Sequence, residues 1–144
     1  MKTSHKGISL IQEFEGCQLK AYKCPAGIWT IGYGNTFYEN NQAVKQGDII
    51  TKDRAISLMA NLLPKFEFVV AKKINIVLNQ NQFDALVSYV WNTGGSNTLY
   101  SLINKKAPAE QIRTWFETKY ISGDGQVLAG LVRRRKAEVN LYFS

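Results

Sequence analysis

Residues 13 to 36, EFEGCQLKAYKCPAGIWTIGYGNT, constrain the fold more than any other stretch, because a helical pattern ends inside them and a β pattern begins. Upstream, Ser4 offers an N-cap, Ile8, Leu10, Ile11 and Phe14 recur at close to helical spacing, and Gly16 is a natural terminator. Downstream, Cys24-Pro25-Ala26-Gly27 has Pro at the second and Gly at the fourth position of a type I turn between two β-type runs, 19–22 and 28–31. A helix therefore hands over to a hairpin. On the second strand Trp29, Ile31 and Tyr33 are expected on one face and Thr30, Gly32 and Gly34 on the other, which leaves space beside the Thr30 hydroxyl.

The junction also suggests chemistry. Glu15 falls in the last helical turn, where the negative end of the helix dipole and burial against the following strand both disfavour ionisation. Such a carboxyl suits a proton donor. Glu13 lies about 200° around the helix from it and is expected to face solvent.

The remaining chain reads as mostly helical. A polar connection spans 37–50. Thr51 then caps a segment with Ala55, Leu58, Met59, Leu62 and Phe66 at helical spacing, and Pro64 is expected to kink or split it. Asn79 and Gln82 form a capping-box pattern before Phe83, Leu86, Val87 and Val90, and Gly94-Gly95 ends that helix. Two shorter helices are predicted near 97–105 and 108–118, then the loop Ser122-Gly123-Asp124-Gly125 and a last helix bearing Leu131, Val132, Val139 and Leu141. The fold class is α+β, mostly α, with one small sheet near the N-terminus. Its single domain, 1–144, divides into a β-containing lobe of about 16–50 and a helical lobe of about 51–144 plus the first helix, with a ligand cleft between them.

Charge narrows the partners without naming one. A net charge of +7 favours an anionic surface: nucleic acid, membrane or bacterial envelope. The basic run 133–136 carries Arg134 and Arg135 four and three residues before Glu138, the spacing of ion pairs on a solvated helical face, so no specific nucleic-acid site is inferred. No apolar run of about 18 residues and no signal-peptide pattern occur, so a soluble chain without a membrane anchor or export segment is expected. With His5 as the lone histidine, metal-ligand spacing is absent.

Several separated motifs, in order, resemble the bacteriophage-type lysozymes, or endolysins, of glycoside hydrolase family 24: EG-x-x-L-K-A-Y at 15–22, G-x-W-T-I-G-Y-G-x-T at 27–36, N-Q-N-Q-F-D-A-L-V-S at 79–88, W-N-x-G at 91–94 and V-L-A-G-L-V-R-R-R at 127–135. The resemblance implies a lysozyme-like fold and hydrolysis of the β-1,4 bond between N-acetylmuramic acid and N-acetylglucosamine in peptidoglycan, with no cofactor. It maps the family's catalytic Glu, Asp and Thr onto Glu15, Cys24 and Thr30: Glu15 as general acid, Thr30 holding the attacking water, and inversion as the outcome. Thr36, Trp91 and Asn92 are candidate substrate-binding residues. The resemblance further implies a monomer waiting in the host cytoplasm for a separately encoded, holin-like membrane pore before it reaches the wall.

Two positions depart from the family pattern. Cys24 stands where a carboxylate is usual, and its thiol is assigned electrostatic or water-positioning help first and covalent attack second. Asn35 stands where His is frequent, with a structural consequence expected. Cys17 and Cys24 are either two small buried thiols or a redox pair whose disulfide would cage the site, as in some signal-anchored relatives. Rival functions are a lytic transglycosylase forming 1,6-anhydro ends, a non-catalytic wall- or nucleic-acid-binding module, and a Cys-His peptidase, which is disfavoured because His5 lies at the N-terminus.

Overall fold

The computed structural model describes residues 1–123 and 125–144. The first helix, α1 (His5–Glu15), begins where the Ser4 side chain accepts from the Gly7 N–H and ends where Gly16 adopts φ +64°. Its N-terminus is anchored from outside the helix. Asp84, fully buried, accepts from the Ser4 N–H and hydroxyl, and Glu67 accepts from the Thr3 N–H and hydroxyl. A carboxylate at the positive end of a helix is favourable twice over, as hydrogen-bond acceptor and as charge.

The hairpin forms as read. Strand β1 (Gln18–Lys23) pairs antiparallel with β2 (Trp29–Gly32), Tyr22 opposite Thr30 and Lys23 opposite Trp29, and the turn closes through Gly27 N–H to Cys24 O at 2.8 Å. The second strand is shorter than expected. Gly32 and Gly34 take φ of +65° and +77°, so the chain folds back and Ile31 and Asn35 exchange two backbone hydrogen bonds of 2.8 and 2.9 Å. The anticipated face shared by Thr30, Gly32 and Gly34 therefore does not exist. Asn35 is buried inside this turn, its Oδ1 accepting from the Tyr33 N–H at 3.3 Å, which is the structural role expected of it.

Helix α2 (Lys52–Lys73) runs through Pro64 without a break. Proline leaves the carbonyl four residues earlier without a donor, and both Ala60 and Pro64 are exposed, so water can serve it. Helix α3 (Gln80–Thr93) opens with the complete Asn79–Gln82 capping box and stops at left-handed Gly94, with every residue from Phe83 to Trp91 buried. It is the central element, packed by α1, α2 and α6 (Ala129–Tyr142). Helix α4 (Asn97–Asn104) packs on α5 (Ala109–Thr118), and α5 packs on α6. A second ribbon, β3 (Ser122–Gly123) with β4 (Gln126–Val127), corrects the reading of a single sheet; Asp124 between them lies outside the described residues.

Candidate active site

Glu15 ends α1 with its two carboxylate oxygens in different circumstances. Oε2 accepts a 2.6 Å hydrogen bond from Arg134 Nη1, the two side chains being 14% and 3% exposed respectively. Oε1 accepts from no protein donor among the described residues and faces Gly34, where a Cβ would stand 2.1 Å from it. Gly34 is thus required both by its positive φ and by the space the oxygen occupies. The guanidinium stands at the negative end of α1, where a positive charge is favourable.

Arg134 is itself fixed on every side. Nε donates to Glu138 Oε2 at 3.2 Å, and Nη2 donates to the Ser88 carbonyl at 3.1 Å and hydroxyl at 3.3 Å. Ser88 in turn donates its hydroxyl to Glu138 Oε2 at 2.5 Å. Arg135 Nε stands 3.0 Å from Glu138 Oε1 without hydrogen-bond alignment, while its Nη2 donates to Asn92 Oδ1 at 2.6 Å and its guanidinium covers the Tyr89 ring at 5.1 Å. Arg134, Arg135 and Glu138 are all buried, which corrects the solvated-face reading. Burial pushes the Glu138 carboxyl up, opposed by both guanidiniums and the Ser88 hydroxyl, and burial pushes Arg135 down. The spacing was right; its environment was not.

Across from this cluster lies the hairpin. Thr30 is buried and donates its hydroxyl to the Ile28 carbonyl at 2.9 Å, leaving its lone pairs free to accept. Opposite Thr30 in register, Tyr22 has its phenol pushed above the ordinary range by burial first, then by Glu15 and Cys24. Tyr22 is therefore within electrostatic reach of both. Tyr22 was not singled out in the sequence as a site residue.

Three cavities lie near Glu15, Cys24 and Gly34. One of about 370 Å³ is lined by Cys24, Asn92, Tyr120 and Leu128, and one of about 380 Å³ by Glu13, Glu15, Asn92, Arg133 and Arg134. Asn92 borders both. The third, about 420 Å³, lies beyond Gly34 and holds Thr36, Phe37, Lys65, Phe66 and Trp91. Trp91 is only 8% exposed, donates Nε1–H to the Tyr33 carbonyl at 3.0 Å and leans on Phe66 with centroids 4.7 Å apart, so it joins core and cavity wall. Cys17 and Cys24 are free thiols, each half-buried; the Lys52 ammonium lies over the Tyr33 ring, 5.1 Å from its centroid.

The phage lysozyme family profile matches residues 12–138. The chain belongs to that family. An endolysin of Acyrthosiphon pisum secondary endosymbiont phage 1 is 37% identical over 152 residues, covering 100% of this chain and 99% of its own. The solved endolysin from Escherichia coli O157:H7 phage FAHEc1 superposes with a TM-score of 0.84 at 31% identity, over 100% of this chain and 94% of that one. A P22 lysozyme variant gives 0.78 at 30% identity, over 100% and 99%. The fold is lysozyme-like, α+β and mostly helical, as the motifs implied. The coarse activity comes with the family: hydrolysis of bacterial cell wall.

Gly34 and Ser88, like Tyr22, were not singled out in the sequence as site residues. Gly34 had a signal, since a Gly-x-Gly pair ending a strand marks a fold-back as readily as an extended face. Ser88 had none, being one polar residue in an apolar helix.

Proposed function

We propose that the chain is a muramidase of the endolysin type, hydrolysing the β-1,4 bond between N-acetylmuramic acid and N-acetylglucosamine, with Glu15 as the general acid. The observation that carries this reading is the half-committed Glu15 carboxylate: Oε2 is held by Arg134, and Oε1 is left unpaired against Gly34. The proton on Oε1 passes to the glycosidic oxygen, the leaving sugar departs, and Arg134 stabilises the carboxylate that remains. Thr30, whose own proton is committed to Ile28, accepts a hydrogen bond from a water and aims its oxygen at the anomeric carbon from the opposite face, and the proton this water loses on attack passes to solvent. The configuration inverts. Cys24, on the wall shared with Asn92, helps orient that water or offsets positive charge at the sugar. Thr36, Trp91 and Asn92 line the flanking cavities and contact the glycan, which lies between a small lobe of about 16–50 and the helical remainder. In the infected cell the enzyme reaches the wall through a separately encoded pore.

Digestion of purified peptidoglycan tests this reading. Mass spectrometry should show reducing N-acetylmuramic acid ends from the parent and none from Glu15→Gln. Ends of the 1,6-anhydro form would make the chain a lytic transglycosylase, and sugar-free binding would make it a wall-binding module. Either result overturns the proposal.

A further inference from the structure

The ion cluster behind Glu15 contains a carboxylate that the hydrolysis itself does not use. Glu138 is fully buried on α6 and takes Arg134 Nε on one oxygen at 3.2 Å and Arg135 Nε beside the other at 3.0 Å. Its two partners each hold a residue that lines one cavity: Arg134 binds Glu15, and Arg135 binds Asn92. One buried anion therefore fixes both. A lone buried guanidinium would give its whole charge to the nearest carboxylate, and Glu15 is the nearest one available.

We infer that Glu138 is a positioning residue that shares the Arg134 guanidinium with the acid, holding its Nε so that only Nη1 is left to Glu15. The inference rests on Glu15 acting as the acid. In geometry, the Arg134 guanidinium is committed to Glu138 and Ser88 through Nε and Nη2, and only Nη1 reaches Glu15. Arg135 adds a second positive charge to the same balance, its Nε 3.0 Å from Glu138 Oε1. Other groups facing Glu15 are Tyr22 from β1, with Cys24 beyond it, and Glu13 and Arg133, which line the same cavity. Tyr22 and Cys24 are neutral when protonated, Glu13 and Arg133 oppose one another, and α3 contributes only the uncharged Ser88 and Asn92. The sign of the field at Glu15 is thus set by Arg134, Arg135 and Glu138 together.

The test is the alkaline limb of kcat/KM for peptidoglycan hydrolysis, which reports loss of the acid's proton. Glu138→Gln removes a negative charge and should move that limb down by about one pH unit. Arg135→Gln removes a positive charge and should move it up, by about half a unit, while Arg135→Lys, which keeps the charge but loses the grip on Asn92, should leave it in place and raise KM. Both Gln variants disturb one buried cluster, so a purely structural role would lower activity in both without opposite shifts. A limb unmoved in Glu138→Gln, or moving the same way in both, overturns the inference. Should Glu138→Gln fail to fold, Arg135→Gln against Arg135→Lys decides alone: a limb raised only in the former supports the charge balance, and coincident limbs overturn it. Parental activity in Glu15→Gln would instead remove the acid assignment itself.

Discussion

Glu39 and Glu15 are each paired with an arginine, and they are bound differently. Glu39, in the loop after the hairpin, is saturated: Oε1 accepts from Arg54 Nη2 at 2.5 Å, and Oε2 accepts from Arg54 Nη1 at 2.8 Å and from Asn61 at 2.9 Å. Its carboxyl is held down at about 2, first by the Arg54 hydrogen bonds. Glu15 receives one such bond and keeps the other oxygen bare in the crease beside Gly34. The exposed pair is the better-formed salt bridge and the buried one the less complete. Completeness suits a tether between the loop and α2; an open valence suits a group that must hand a proton to a substrate.

Substitutions at the two sites should therefore separate cleanly. Glu15→Gln keeps shape and loses the proton, so hydrolysis of purified peptidoglycan should fall by roughly a hundred- to ten-thousandfold, with the circular dichroism of the parent. Next in size is Gly34→Ala, which puts a methyl 2.1 Å from Glu15 Oε1 at a backbone φ of +77°. It should displace the carboxylate and cost roughly a hundredfold in kcat and about 1 kcal/mol of stability in urea titration.

At Cys24 the prediction sharpens what stands opposite the acid. Cys24→Asp should match or exceed the parent, and Cys24→Ser should lose about tenfold by losing a group able to carry negative charge. Equal rates in the two would remove that role.

Glu39→Gln should do least: under about 1 kcal/mol of stability, because screening weakens an exposed pair, and no measurable change in kcat. Its signature is in pH. A carboxyl lowered from 4.5 to about 2 stabilises the fold above the higher value and loses that contribution as pH falls through the lower one. Parent and Glu39→Gln stabilities should therefore converge on acidification across that interval.

Local signals in the chain carried much of this architecture. Ser4, Gly16, the Cys24–Gly27 turn and the Asn79–Gln82 box each satisfy backbone groups within a few residues, and each appears where the sequence placed it. What failed to show was long-range. Arg134, Arg135 and Glu138 have the same spacing on a wet surface as in a core, and only the packing of α6 on α3 decides between them. Pro64 does not split α2, for the converse reason: its broken hydrogen bond lies on an exposed face. The proposed roles of Glu15, Cys24 and Thr30 rest on family resemblance, whereas the position of Glu15 Oε1 became visible only with Gly34 folded against it.

That bare oxygen is the centre of the account, and a crystal structure of Glu15→Gln with a bound peptidoglycan fragment tests it most directly. The scissile glycosidic oxygen should lie within about 2.6–3.2 Å of the side-chain atom that replaces Oε1 beside Gly34, with Arg134 still on the other. A fragment seated with that oxygen out of reach, or one that approaches only through the Arg134 side, would contradict it.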